Sequence, residues 1–149
     1  MTPERDNASS IFPISVLPPA VYSADNTPTA IDSVDYGAAS LLLHIGVGGI
    51  TFTGANKIEF VLTHSDDNVT YTNVTDDDVI KDALAPATIS NGIVRSLTAA
   101  HAAATVQKIG YIGGKRYLKL LADFSGTHAT GTPISAVVVR TRAAFRGAA

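Results

Sequence analysis

The sequence predicts an all-β protein, an antiparallel two-sheet sandwich of jelly-roll or Greek-key type. Short apolar or alternating segments follow one another, turn formers separate them, and strands do not alternate with helices in a βαβ pattern. With 149 residues, 46% of them hydrophobic and 16% charged, the chain is long enough to bury one core. We expect an extended N-terminal arm over residues 1–29, the sandwich over 30–140 and a short basic C-terminal tail over 141–149.

The first 29 residues are rich in proline, which blocks helices and pairing in a central strand. Their apolar side chains are too numerous for a free linker. We therefore expect this segment to lie extended against a surface, either its own or a neighbour's. The arm residues that are candidates for binding a partner are Ile11, Phe12, Ile14, Val16 and Leu17.

The first half of the sandwich contains three predicted strands. Residues 40–47 form a short apolar run closed by two glycines, which is typical of a buried strand. Residues 56–64 alternate apolar and polar side chains, and residues 69–74 resume β-branched and aromatic character after a Ser-Asp-Asp-Asn turn. These two segments predict a hairpin. Residues 79–84 are compatible with one helical turn.

The second half gives four further strand predictions, at residues 92–97, 106–112, 116–124 and 134–140. Gly113-Gly114 separates the second from the third and predicts a tight hairpin. The strand after these glycines carries apolar residues on both faces, which favours a central position in its sheet. The Ala-rich residues 97–105 could be helical, but nine residues would make a marginal helix.

The charge is divided unevenly along the chain. Residues 1–92 hold three bases and twelve acids, for −9, and residues 93–149 hold eight bases and one acid, for +7, which together give −2. If the fold keeps the two portions apart, copies of the chain can attract one another. The alternative is that strands of both portions intermix and the field averages out.

The basic C-terminal residues Arg140, Arg142 and Arg146 are the remaining candidates for binding a partner. Only Phe145 accompanies them in the tail, so the sequence lacks the aromatic stacking platform of single-strand binders. The slightly negative net charge also argues against nucleic acid, and docking onto an acidic protein surface is favoured. No apolar run approaches the ~20 residues of a membrane helix, so no membrane partner is expected.

The sequence gives no catalytic constellation, and we expect a protein that is not an enzyme. His64 precedes a Ser-Asp-Asp turn, but residues adjacent in sequence do not supply the hydrogen-bond order of a catalytic triad. His44 lies in an apolar segment and is expected in the core. His128 lies in a turn-rich loop and is expected to face solvent or a contact.

Metal and cofactor sites are not predicted either. Asp66, Asp67 and the run from Asp76 to Asp78 could ligate Ca²⁺, but their spacing does not fit an EF-hand loop. We expect these aspartates to be solvated residues at loop ends. The chain contains no Cys, which excludes thiolate metal sites and disulfides.

Three parts of the sequence resemble a pattern found in small virion proteins of tailed bacteriophages. They are the acidic entry into a strand over residues 31–41, the hairpin formed by residues 60–67 and 71–74, and the segment from Gly113 to Thr127 that contains a Gly-Lys-Arg-Tyr motif and ends in Ser-Gly-Thr. The resemblance covers residues 30–140. Asn68 stands where the family's hairpin has glycine, and asparagine tolerates the positive φ of such a turn.

The resemblance implies a structural protein of the virion, in particular a head decoration (cement) protein. Such a protein binds the shell of the major capsid protein, stabilises it and is located on the capsid surface. A homo-oligomer is implied, with a trimer as the expected state. Two alternatives remain: a carbohydrate-binding module of a tail or fibre protein, in which Tyr71 and Tyr111 would form the sugar platform, and a head-completion or tail structural protein.

Overall fold

The computed structural model describes residues 6–143. This part of the chain contains ten strands and two 3₁₀ turns. In chain order the strands are β1 (Ile11–Tyr22), β2 (Ile31–Asp32), β3 (Tyr36–Ile45), β4 (Lys57–Ser65), β5 (Thr72–Asn73), β6 (Val79–Ile80), β7 (Ile93–Leu97), β8 (Thr105–Tyr111), β9 (Tyr117–Ser125) and β10 (Thr132–Ala143). The 3₁₀ turns span Ala8–Ser10 and Asp76–Asp78.

The strands form two antiparallel sheets packed face to face. Sheet A has the order β1-β10-β3-β8-β6, and sheet B has the order β2-β9-β4-β5, with β7 also pairing with β4. The two halves of the chain pair in a nested way, the first strand with the last, β2 with β9, β3 with β8 and β4 with β7. Among these nested strands, successive members of β1–β4 and of β7–β10 lie in opposite sheets, which is the arrangement of a jelly roll. The predicted β-sandwich is confirmed.

The tight hairpin predicted at Gly113-Gly114 is wrong. β8 pairs with β3 in sheet A, whereas β9 pairs with β4 in sheet B, so the two glycines lead the chain from one sheet to the other. Gly114 has a φ of 75°, which explains why glycine is needed there. The central position predicted for β9 is confirmed, since it lies between β2 and β4.

The hairpin predicted around residues 65–68 is confirmed. β4 pairs with β5 through Thr63 opposite Asn73 and His64 opposite Thr72. Asn68 has a φ of 59°, the conformation that asparagine tolerates in place of glycine. The two helical alternatives are wrong. Residues 98–104 are an irregular connection, and β6 begins directly after the 3₁₀ turn.

The predicted N-terminal arm needs correction, because β1 is part of the domain. It is an edge strand of sheet A, paired with β10 from Ile11 to Tyr22. Val16 and Leu17 are 2% and 0% exposed and belong to the core. The prolines are compatible with this strand because an edge strand has one side outside the ladder, and the pairing shifts register between Ser15 and Ala20.

The C-terminal tail is corrected in part. Thr141 and Arg142 belong to β10, which continues to Ala143, so the sandwich extends beyond residue 140. Residues 144–149, including the candidate Arg146, lie outside the described residues.

Strands from the acidic and basic portions of the sequence alternate within sheet A. β1, β3 and β6 come from residues 1–92, and β10 and β8, from residues 93–149, lie between them. Sheet B likewise takes strands from both portions. Of the two alternatives left open by the sequence, the intermixing of strands is therefore the correct one.

Candidate partner-binding surface

The pairing of β1 with β10 brings together candidate residues from both ends of the sequence. Phe12 lies opposite Arg140, so the two side chains share one face of sheet A. The guanidinium of Arg140 donates from Nε to the carbonyl oxygen of Phe12 at 3.3 Å and from Nη1 to that of Asp32 at 3.0 Å. Its Cζ lies 4.5 Å from the ring centroid of Tyr36. Arg140 therefore ties β1 to β2 within the chain.

The other predicted residues divide into three groups. Val16 and Leu17 are buried in the core, so the prediction that they bind a partner is corrected. Ile11, Phe12 and Ile14 are half-buried on β1. Arg142 is exposed, and it is the predicted cation that remains accessible at the end of β10.

The outer face of sheet A is the side of this sheet that points away from sheet B. Buried and exposed residues alternate along β3, with Leu41 and Leu43 inside and Leu42 and His44 outside, and the register extends this alternation to the neighbouring strands. The outward residues include Ile11, Pro13, Ser15, Ala38, Ser40, Leu42, His44, Ile80, Val106, Lys108, Gly110, Ser135, Val137, Val139 and Thr141. None of these is Asp or Glu, and Lys108 is the one Lys or Arg among them.

The outer face of sheet B has a different character. Lys57 and Glu59 form an ion pair there at 2.8 Å. Asp123 lies opposite Glu59 on β9, and Lys119 lies opposite Thr63. The two outer faces thus differ in polarity, and the face of sheet A is the one suited to bury apolar surface.

A groove of about 440 Å³ lies at one end of the outer face of sheet A. We call it the sheet A groove. Small residues from two neighbouring strands, Ala38, Ser40 and Gly110, form part of its lining. Ile80 and Ile112 also line it and remain 61% and 59% exposed, an unusual position for large apolar side chains.

Two cations, Arg142 and Lys115, line the same groove. Arg142 adopts a φ of 54°, which a non-glycine residue rarely does. Its side chain crosses Gly37, where a Cβ atom would come within 3.1 Å of the Cβ of Arg142. Glycine at position 37 therefore leaves room for this side chain. The ammonium of Lys115 donates to the hydroxyl of Thr72 at 3.2 Å.

Two carboxylates near this groove, those of Asp32 and Asp78, are bonded within the chain, whereas Asp35, between the lining residues Ser33 and Tyr36 in sequence, is exposed. Asp32 accepts two hydrogen bonds from Arg116, at 2.9 and 2.8 Å, and these bonds lower the pKa of the Asp32 carboxyl. Asp78 accepts from both the backbone nitrogen and the hydroxyl of Thr75, at 2.8 and 2.9 Å. Among the described residues, none that lines the groove is Asp or Glu.

The histidines are not placed as the sequence predicts. His44 is exposed on the outer face of sheet A rather than buried. His128 is buried rather than solvent-facing, since its Nε2 bonds to the carbonyl oxygen of Ser125 at 2.9 Å and its ring packs 4.9 Å from that of Phe124. These differences arise because strand pairing, which local sequence does not reveal, decides which face of each segment is covered.

The clustered aspartates accept hydrogen bonds from nearby groups of the same chain. The carboxylate of Asp67 accepts from the backbone nitrogens of Val69 and Thr70, at 2.9 and 2.8 Å, and these bonds lower its pKa. Asp76 accepts from Lys81 and from the backbone of Ile89, which lowers its pKa as well. Within residues 6–143 no group of three or more His, Cys, Asp or Glu side chains is arranged to hold a metal ion.

The tyrosines proposed as a sugar platform are not free. Tyr111 is buried, and Lys119 lies over the ring of Tyr71 with its Nζ 4.1 Å from the centroid. Arg116 similarly lies 4.9 Å from the ring centroid of Tyr117. Each of these two half-buried rings thus has one face covered by a cation of its own chain, which does not favour sugar stacking.

Sequence reasoning missed the sheet A groove. Its lining residues include 36–40 on β3 and 110–112 at and after the end of β8, and only the pairing of β3 with β8 places Ala38, Ser40 and Gly110 side by side. The described residues also contain no helix with the length and apolarity required to cross a membrane. No protein-family model, curated protein or solved structure matches this chain.

Proposed function

We propose that this chain is a structural protein of a tailed-bacteriophage virion, namely a decoration (cement) protein that binds the shell of the major capsid protein and stabilises it. The observation that carries the proposal is the contrast between the two outer faces of the sandwich. The outward residues of the sheet A strands named above include Lys108 as the one Lys or Arg and no Asp or Glu, whereas the face of sheet B carries the ion pair of Lys57 with Glu59. Such a contrast favours a protein that contacts a neighbour through one side.

The resemblance of residues 30–140 to small phage virion proteins supports the same proposal. The segments that carry it are structural in this fold. The Ser-Asp-Asp hairpin joins β4 to β5, and Gly113-Gly114-Lys115-Arg116 leads from β8 to β9. In our proposal the chain acts by binding alone, without catalysis and without a cofactor, on the capsid surface. It assembles there as a homo-oligomer, for which we propose a trimer.

Stabilisation of the shell would come from many modest contacts made at once. Each apolar side chain buried against the shell contributes on the order of 1.5–3 kcal/mol. Repetition over a symmetric particle and linkage between the copies of an oligomer make such contacts collectively strong. A separate active site is not needed for this action.

The experiment that tests the proposal uses shells assembled from the major capsid protein without this chain. Purified protein is expected to co-sediment with these shells and to raise the temperature at which they open. Failure to bind the shells, together with binding to a glycan array, would contradict the proposal and favour the carbohydrate-binding alternative. Hundreds of copies per virion would agree with decoration, whereas about a dozen would indicate a head-completion protein.

A further inference from the structure

We infer that the sheet A groove is the site at which this chain holds its protein partner, and that the occupant is an extended segment with an apolar side chain next to a carboxylate. The inference rests on the proposed function, to which it adds the face used and the chemistry of the partner. It is drawn from the shape of the groove, from its charge and from the sheet edges beside it.

The shape favours an inserted side chain. Ala38, Ser40 and Gly110 lie side by side on neighbouring strands. Because their side chains are small, they leave a depression in the surface between Ile80 and the end of β10. Ile80 and Ile112 expose most of their surface to solvent. An apolar side chain laid against them would remove that surface from water, which is the main favourable term in protein association.

The charge of the groove selects the rest of the occupant. Arg142 and Lys115 line it, none of its lining residues within 6–143 is acidic, and the neighbouring Asp32 and Asp78 are bonded to groups of their own chain. A carboxylate on the partner would therefore meet two lining cations, and in the described part of the chain the exposed Asp35 is the one carboxylate beside the lining residues that accepts no hydrogen bond of its own. A basic segment would meet like charges, so the same two residues also select against it.

The sheet edges favour insertion of side chains over addition of a strand. At one edge of sheet A, β6 has only two residues, and beyond it the backbone nitrogen of Lys108 already donates to the Asp82 carboxylate at 3.0 Å. At the other edge, β1 contains Pro13, Pro18 and Pro19, which cannot donate to an added strand. The occupant is accordingly expected to lie across the face and not along an edge.

The test uses two short blocked peptides as probes, Glu-Leu-Ile-Glu and Lys-Leu-Ile-Lys, titrated into the full chain while amide resonances are followed by NMR. The acidic peptide is expected to shift the amides of Ser40, Gly110 and Ile112, and added salt is expected to weaken it. The basic peptide is expected to leave them unshifted. Equal shifts from both peptides, or none from either, would overturn the inference.

Two variants locate the binding. Arg142→Gln combined with Lys115→Gln removes the cations, and it is expected to weaken the acidic peptide about tenfold, as for the loss of two exposed ion pairs. Ser40→Leu places a larger side chain in the sheet A groove without changing its charge, and it is expected to abolish the peptide shifts. The matched control is Lys57→Gln combined with Lys119→Gln on sheet B, which is expected to bind as the wild type does.

Binding to shells separates the two proposals. If wild-type protein binds shells and both groove variants bind equally well, the groove inference is wrong and the proposed function stands. If the peptides bind as expected but the wild-type protein does not bind shells, the proposed function is wrong and the groove remains a binding site for acidic, apolar segments.

Discussion

The hydroxyl oxygen of Tyr111 lies 2.8 Å from Nδ1 of His64, and this hydrogen bond joins the two sheets. The backbone nitrogen of Lys115 donates to the same hydroxyl oxygen at 3.0 Å. This geometry allows the hydroxyl to donate to an unprotonated Nδ1, with the imidazole hydrogen on Nε2. Burial lowers the pKa of His64 and raises that of Tyr111, and both shifts favour this neutral pair.

The lowered pKa of His64 makes stability depend on pH. In the unfolded chain its pKa returns to about 6.5, so below that pH the unfolded state binds a proton that the folded state does not. The free energy of unfolding is therefore expected to fall as the pH is lowered through 6.5, and to level off at neutral pH. Urea denaturation between about pH 7.5 and 5.5 measures this slope.

Two histidine variants assign the slope to its residue. His64→Gln is expected to flatten the decline, because the proton-binding group is removed from both states. His44→Gln, whose imidazole is exposed on the outer face of sheet A, is expected to keep the wild-type slope. A flattened slope in His44→Gln with an unchanged one in His64→Gln would contradict the role given to the His64–Tyr111 bond.

Leu17 tests whether the N-terminal strand belongs to the core. Its side chain is 0% exposed, so Leu17→Ala is expected to lower the free energy of unfolding by about 2–5 kcal/mol. Val21, on the same strand but 67% exposed, provides the control, and Val21→Ala is expected to change stability by less than about 0.5 kcal/mol. Equal, small effects from both variants would instead indicate an arm apart from the domain.

From the sequence, only those features of the fold that depend on residues close together along the chain could be predicted. Period-2 alternation located β4, and the Ser-Asp-Asp-Asn turn located the β4–β5 hairpin, because both signals lie within a few residues. The hairpin predicted at Gly113-Gly114 paired β8 with the wrong strand, because a glycine turn shows that the chain changes direction but not which strand lies beside it. In this fold the partners of β1, β2 and β3 are far away in sequence.

The candidate site was predictable in part for the same reason. The apolar character of β1 identified it as a contacting segment, but its partner is β10 of the same chain, which buries Val16 and Leu17. Arg142 was found through its charge. The sheet A groove could not be found, because its apolar side chains come from β6 and the end of β8, which only the fold brings together.

Asn26 is expected to protect the part of β9 that extends beyond β2, since β2 pairs only with Tyr117 and Leu118. Its Oδ1 accepts from the backbone nitrogen of Ala122 at 2.7 Å and its Nδ2 donates to the carbonyl oxygen of Leu120 at 3.2 Å, so one side chain replaces a neighbouring strand. Asn26→Leu leaves both backbone groups unpaired and is expected to cost about 1–3 kcal/mol. Light scattering is also expected to show aggregation through the uncovered edge.

The control for the edge is Asn26→Asp. Its carboxylate can still accept from Ala122 but cannot donate to Leu120, so its stability is expected to lie between those of the wild type and Asn26→Leu. If both variants denature as the wild type does, the side chain at position 26 does not protect this edge.

Gly92 occupies a position that only glycine fits. Its φ is 74°, and a Cβ atom there would lie 2.7 Å from the carbonyl oxygen of Leu62, whose backbone nitrogen donates to Gly92 O at 2.8 Å. Gly92→Ala is expected to lower the free energy of unfolding by about 1–3 kcal/mol, as measured by thermal denaturation. Gly54→Ala is the matched control, because a Cβ atom at Gly54 meets nothing within 4 Å, and its melting temperature is expected to stay near that of the wild type.

Arg140 is expected to contribute more to stability than Arg116, although Arg116 forms the ion pair. The guanidinium of Arg140 joins two backbone carbonyl oxygens, of Phe12 and Asp32, and lies against Tyr36. A lysine ammonium cannot reproduce this planar arrangement, so Arg140→Lys is expected to cost about 1–3 kcal/mol in urea denaturation. Arg116→Lys alters an exposed pair with Asp32 and is expected to cost less than Arg140→Lys does. The reverse order of the two losses would show that the bidentate ion pair, and not the tie between β1 and β2, holds this end of the sandwich together.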